Sequence, residues 1–320
     1  MKIVDVTLRD GGFVCDFDWG LEYAINHIKT MVEIGVNIIE LGYWKQNSKS
    51  KNQFYNMNEE LLEKLSSYVP KTIRIAVMID FHYCSKDLED YPAFGTSRLD
   101  IVRITSRKED FEEALKFGKL LKDKKGLKVS FQIINSTNYS KKELTRTVER
   151  LIENQFDMVA FADSHGNLNL IQDIAKYEEA IKLLDDNSVR WSFHLHDHTG
   201  RATLNYWYLT QTSCYSIDVS ANGVGKGTGN LKLDYVISNE MLSSLLDYMT
   251  TTAHPKIKIE KIDAFNLMTG RLNITDNYAK YALANNFTIK DFFSILIRIS
   301  GKDRDSYNEN LIKKLSRELL

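Results

Sequence analysis

The chain has 320 residues, of which 43% are hydrophobic and 27% charged, a composition that excludes disordered and fibrous classes and supplies a large core. Forty-two Lys and Arg against forty-three Asp and Glu leave a formal charge of -1, so neither nucleic acid nor an anionic membrane is expected as a partner. Three cysteines, Cys15, Cys84 and Cys214, lie far apart without a C-x-x-C pair; they support no disulfide framework or zinc ribbon and fit a reducing cytoplasm.

Taken in chain order, short β-branched runs alternate with longer segments of helical periodicity. Strands are expected at 3–8, 37–42, 73–79, 100–105, 128–134, 158–162, 189–194 and 217–221. Helices are expected between them at 21–35, 58–68, 108–124, 141–154, 170–184, 201–212 and 231–249. Eight such alternations within about 250 residues predict an α/β fold, a (β/α)8 TIM barrel over residues 1–253, with a doubly wound open sheet as the alternative. After His254-Pro255 the pattern changes to a strand-like 256–260 and helical segments 273–286, 289–300 and 306–319, a small C-terminal helical domain spanning 254–320. Its Phe287, Phe292, Phe293, Ile295, Leu296 and Ile297 exceed what a short appendage buries alone, so it is expected to pack on the barrel or form a homodimer interface. The N-terminus lacks a signal-peptide pattern, and no apolar run nears the roughly 18 to 20 residues that cross a bilayer.

In a barrel the chemistry belongs at the C-terminal ends of the strands. The first run ends in Thr7-Leu8-Arg9-Asp10-Gly11-Gly12, which places a cation and a carboxylate at the mouth. The seventh ends in His194-Leu195-His196-Asp197-His198, and the two-residue period of a strand projects His194 and His196 to one face. With Asp10 they make a two-histidine, one-carboxylate set that leaves coordination positions open. The eighth run leads into Asn222-Gly223-Val224-Gly225-Lys226-Gly227-Thr228-Gly229-Asn230, where the Asn230 amide is placed to ligate the same ion or to orient a ligand. Such oxygen and nitrogen donors suit a divalent metal such as Mn2+, Mg2+, Co2+ or Zn2+ without choosing among them, and Mn2+ is the ion expected here. Glu40, Asp80, His82, Arg103, Gln132, Asn135, Asp163, Ser164 and His165 add a polar crown, in which Asp163 and His165 read equally as structural hydrogen-bonders and as catalytic groups.

Together these segments resemble the metal-dependent barrel aldolases and lyases that include 4-hydroxy-2-oxovalerate aldolase, hydroxymethylglutaryl-CoA lyase, isopropylmalate synthase and homocitrate synthase. Thr7 to Gly11 is similar to the opening motif of that family, His194 to Asp197 to its H-x-H-[ND] motif, and Gly223 to Asn230 to its G-x-G-x-x-x-G-N loop. Ala162-Asp163-Ser164-His165-Gly166 is similar to its A-D-[ST]-x-G segment, and the tail resembles, more faintly, the helical domain with which the hydroxy-oxovalerate aldolases meet a partner dehydrogenase.

The resemblance implies a metal-dependent carbon–carbon lyase that joins or splits a pyruvate-like 2-oxo acid enolate and an aldehyde, with Arg9 stabilising the enolate. An acyl-CoA-dependent synthase or lyase, and a metal-binding non-catalytic partner barrel, are the alternatives. One departure stands out. Where the hydroxy-oxovalerate aldolases carry a catalytic histidine, three residues after the aspartate, this chain has Phe13, and their tail tyrosine has no counterpart near Asn273 and Ile274. Asp16, Asp18, His82, His165 and Tyr278 are the candidate acid/base groups. The tail is shorter than the regulatory region of the Claisen synthases, so feedback control by an amino acid is not expected.

Overall fold

A computed structural model describes residues 1–47 and 50–318. Among these residues, eight parallel strands close in chain order into a barrel: β1 (Lys2–Asp5), β2 (Ile38–Tyr43), β3 (Arg74–Asp80), β4 (Ile101–Thr105), β5 (Lys128–Ile133), β6 (Met158–Asp163), β7 (Arg190–Leu195) and β8 (Ser216–Val219). Closure comes from β1, which pairs with β2 on one side and with β8 on the other, Val4 opposite Asp218. The intervening helices are α1 (Leu21–Ile34), α2 (Glu59–Ser66), α3 (Phe111–Lys125), α4 (Lys141–Glu153), α5 (Leu170–Asp186), α6 (Ala202–Leu209) and α7 (Asn239–Thr251). The chain forms two compact units, Met1–Leu233 and Asp234–Leu320, so α7 falls in the second with α8 (Lys261–Arg271), α9 (Asn277–Ala284), α10 (Ile289–Leu296) and α11 (Glu309–Arg317).

The strands read as near-continuous apolar runs because helices cover one face and the barrel interior the other. β2 and β6 are buried at every position, and Val4, Val6, Ile38, Ala76 and Ile101 form an apolar cluster. Sequence signals fix several helix ends: Ser140 and Glu143 close a capping box at the start of α4, and Gly35 takes a left-handed φ of 78° at the end of α1. Helix α7 starts at Asn239, eight residues later than expected, after a single 3-10 turn at Leu233–Tyr235.

In the second unit the strand-like 256–260 is not a strand. Its Ile257 N–H bonds to His254 O (3.1 Å) and its Ile259 N–H to Met249 O (3.0 Å), a turn that leads into α8, a helix the alternating pattern concealed. Ala264, Phe265 and Met268 form the buried stripe of α8. Leu319, the last position of the expected helix 306–319, lies outside the described residues.

At the top of β2 the ladder with β3 shifts register between Glu40 and Tyr43, and the following segment doubles back so that Tyr43 N–H donates to Phe54 O (2.9 Å). Gly42 makes this approach feasible, since a Cβ there would lie 2.3 Å from Phe54 O. Gly42→Ala is therefore expected to lower unfolding free energy by about 2 kcal/mol. Gly270→Ala, on the exposed side of α8 with nothing within 4 Å, should raise it by about 0.5–1 kcal/mol. Urea denaturation of both variants beside the parent checks the contrast.

Candidate functional site

Strand β1 ends at Asp5, three residues earlier than its apolar pattern suggests, and the reason sets the site. Asp5 Oδ1 accepts from both the Thr7 amide (3.2 Å) and the Thr7 hydroxyl (2.5 Å), while Asp10 N–H bonds back to Val6 O (2.8 Å). The chain turns instead of extending, and Arg9 and Asp10 are laid, buried, across the barrel mouth. On the far side of β8, β7 delivers His194. His196 follows the last residue of β7 and is held by an isolated antiparallel bridge to Asn230.

These segments bring three donors together. One ligand atom from each of Asp10, His194 and His196 lies within 4.8 Å of the other two, and all three residues are buried. His194 Nε2 and His196 Nε2 stand 3.2 Å apart, and Asp10 Oδ1 is 4.0 Å from His194 Nε2. Asp218 Oδ2 meets His194 Nδ1 at 3.0 Å, so the carboxylate accepts a hydrogen bond from Nδ1–H and leaves the Nε2 lone pair turned to the mouth. Burial, reinforced by the neighbouring His194, pulls His196 down to about 4, which keeps its ring in the neutral, ligating form near neutral pH. Burial alone would raise Asp10, but the Arg9 guanidinium, the two histidines and the Asn230 amide hold its carboxyl well below the usual range.

Asn230 Nδ2 donates to Asp10 Oδ2 (2.9 Å) and to Val224 O (3.1 Å), and its own Oδ1, like His196 Nδ1, is buried without a partner among the described residues. The glycines of this loop let the backbone close in: a Cβ on Gly225 would sit 2.6 Å from Asp10 Oδ2. The donor chemistry and the orphaned polar atoms fit a divalent cation held by Asp10, His194 and His196, with Asn230 fixing Asp10 from behind.

Beneath the donors runs a buried chain of ion pairs. Arg9 Nη1 bonds to Asp10 Oδ1 (2.6 Å) and Arg9 Nε to Glu40 Oε2 (2.7 Å). Arg103 Nη1 takes the same Glu40 oxygen (3.0 Å), its Nη2 takes Asp218 Oδ2 (2.6 Å) and Gln132 Oε1 (2.8 Å), and Asp218 returns to His194. The Arg103 and His194 contacts pull the Asp218 carboxyl down to about 2 against the effect of burial. Glu40 and Arg103 were legible as polar residues and lie inside β2 and β4 rather than at their ends, whereas Asp218, inside β8, is a residue of the site that the sequence reading missed. Its only signal is a lone carboxylate inside Ser216-Ile217-Asp218-Val219.

Above the donors opens a cavity of about 250 Å³ lined by Arg9, Asp10, His194 and His196, with Phe13, Tyr43, Asp80 and Lys226 at its walls. Asp163 and His165 are not brought to it. The Asp163 carboxylate accepts from the amides of Asn167 (3.1 Å) and Leu168 (3.0 Å) and so shapes its own loop, and His165 is exposed. His82 is exposed and paired with Asp110 (3.2 Å), and Asp16 and Asp18 are exposed on the loop after Asp10. Tyr278 belongs to the second unit, where its hydroxyl donates to Asp303 O (2.9 Å) and accepts from Asn308 N–H (3.0 Å). Phe13 lines the cavity in edge contact with Phe17 and Tyr43 (centroids 5.1 and 6.2 Å).

Comparison with known proteins places the chain in a family. Residues 1–266 match the family model described as HMGL-like. Among curated relatives, a probable 2-isopropylmalate synthase of Archaeoglobus fulgidus is 26% identical over 74% of this chain and 46% of its own length. A 4-hydroxy-2-oxovalerate aldolase of Geobacillus genomosp. 3 is 25% identical over 74% and 69%. The chain spans between 46% and 63% of the length of the first isopropylmalate synthases it matches. In structure, the N-terminal domain of a candidate aldolase from Bacteroides vulgatus superposes with a TM-score of 0.60 at 21% identity, covering 98% of this chain and 99% of that one.

Two substitutions test the donor set. Asp10→Asn and His196→Ala are each expected to remove most of the bound metal, read by elemental analysis after loading with Mn2+ and desalting. Asp218→Asn should keep the ligands and weaken metal affinity by about 10–100-fold, because the His194 tautomer is no longer fixed.

Proposed function

The chain belongs to the HMGL-like family, and from that membership we propose that it is a divalent-metal-dependent aldolase, joining or splitting a pyruvate-type enolate and an aldehyde. The observation that carries the reading is the convergence of Asp10, His194, His196 and the Arg9 guanidinium on one cavity. A divalent ion held by Asp10, His194 and His196, Mn2+ in this proposal, would supply Lewis acidity toward a 2-oxo acid.

The protein supplies the rest. Arg9 stays cationic because Glu40 and Asp10 offset the cost of its burial. Those two partners occupy Nε and Nη1, which leaves Nη2 as the donor for an oxygen that gains negative charge. The planar fork is held from both sides before substrate arrives, so the alignment costs no reorganisation in the reaction. The cavity is smaller than the roughly 300–1,000 Å³ clefts that take drug-sized ligands, which supports a pair of small substrates. Phe13 and Tyr43 add apolar ring surface to its wall, in keeping with an aldehyde as the second substrate.

Deuterium exchange at the pyruvate methyl group, followed by NMR, tests the reading without knowledge of the aldehyde. Exchange is expected with Mn2+ and abolished by EDTA. Arg9→Lys should retain metal and lose at least about 100-fold in exchange, because Lys lacks the paired donors. Full exchange in Arg9→Lys would remove the enolate role of Arg9, and condensation of a 2-oxo acid with acetyl-CoA would replace the aldolase by a Claisen synthase.

A further inference from the structure

We propose that Asp80 is the catalytic base of this site and carries one proton between C3 of the 2-oxo acid and the carbonyl oxygen of the acceptor. This rests on the aldolase reading above, and it fills the place left by Phe13, whose ring has no atom that trades a proton.

Elimination within the cavity leads to it. Among the described side chains that line the cavity, those with titratable atoms are Arg9, Asp10, Tyr43, Asp80, His194, His196 and Lys226. Arg9 is locked between two carboxylates, and Asp10, His194 and His196 form the donor set. Lys226 Nζ lies over the Phe13 ring (5.7 Å to the centroid), and burial pushes the Tyr43 hydroxyl far above the range in which it ionises. Asp80 remains. It is the last residue of β3, the position from which a barrel aims side chains at the mouth. The His82 amide pins its Oδ1 (3.1 Å), no ion pair among the described residues engages the carboxylate, and Oδ2 is left for substrate.

Its surroundings suit the role. Burial raises the carboxyl above its ordinary value, against the His82 amide and the charges of Arg107 and His82, with Asp110 adding to the rise. Tyr43 from β2 and Tyr55 from the segment after it also feel its charge, as does Cys84 from its own loop. A carboxylate so placed is a stronger base than one in water.

The step balances within the two substrates and Asp80. In the joining direction the carboxylate takes a C3 proton, the C–H pair becomes the C2–C3 double bond, and the keto π pair moves onto oxygen. The enolate carbon then attacks the aldehyde, and protonated Asp80 returns the proton to the new alkoxide. Cleavage runs the same transfers in reverse.

Four proteins decide it: the Mn2+-loaded parent, Asp80→Asn, Asp80→Glu and Asp80→Ala, assayed for pyruvate methyl exchange, metal content and oxalate affinity. Asp80→Asn and Asp80→Ala should lose at least about 100-fold in exchange with metal and oxalate binding within threefold of the parent, and Asp80→Glu should recover part of the loss. The carboxylate is the active form, so parental exchange rises with pH along a limb above the ordinary carboxylate range, and Asp80→Asn loses that limb. Exchange in Asp80→Asn within threefold of an active parent overturns the base. A parent that binds Mn2+ and oxalate yet exchanges nothing overturns the aldolase reading itself, and the base with it.

Discussion

Charge inside a barrel must be matched by charge, and here the matching forms a circuit. From Asp10 it passes through Arg9, Glu40, Arg103 and Asp218 to His194, whose Nε2 returns to within 4.0 Å of Asp10. Apart from the Arg9–Asp10 contact within one turn, each link joins a different pair of strands or the turns that follow them, so strands one, two, four, seven and eight are held in one arrangement at the level of the mouth. Three carboxylates face two guanidiniums, and with a neutral His194 the circuit carries one surplus negative charge. Buried surplus charge is costly unless something meets it. A divalent cation at the open end of the circuit is what the arrangement is short of.

The same circuit explains why ligand geometry and enolate stabilisation are not independent. Arg9 touches Asp10 on one side and Glu40 on the other, so in the proposed reaction the side chain that would hold the ion and the one that would meet the substrate share a single alignment. Arg103 makes no approach to the cavity, yet it supports both branches, through Glu40 to Arg9 and through Asp218 to His194. Removing it would leave Glu40 with Arg9 as its ion-pair partner and Asp218 with His194, at a cost of about 3–5 kcal/mol.

Much of this was legible in the sequence, for reasons that differ by scale. The βα alternation is a local property of each segment, and it gave the eight strands and their order, with edges off by a few residues. The donor set was legible because its members sit in short motifs: the i and i+2 spacing of His194 and His196, and the Arg9-Asp10 pair after a strand. What was not legible depends on contacts across the barrel. Glu40, Arg103 and Asp218 are single residues on three strands, and nothing near them in the chain says that they meet. Asp80 stood out only as one polar strand end among several, until the cavity separated it from His82 two residues away. In the second unit, Lys256-Ile257-Lys258-Ile259-Glu260 alternates like a strand but has no neighbour to pair with, so its amides bond within the turn and to Met249.

The donor set spans the seam that closes the fold. Asp10 and Asn230, bonded at 2.9 Å, are separated by 220 positions, and both depend on the β1 to β8 seam that closes the ring. Contacts of such sequence separation form after local βα units, because loop closure must first be paid in entropy. No partial barrel therefore offers the ion its ligands. A cation that binds the closed ring and not its precursors draws the equilibrium toward closure by mass action. In this way the metal would act as a latch on the seam as well as a reagent, and occupancy would report on whether the first and last strands have met.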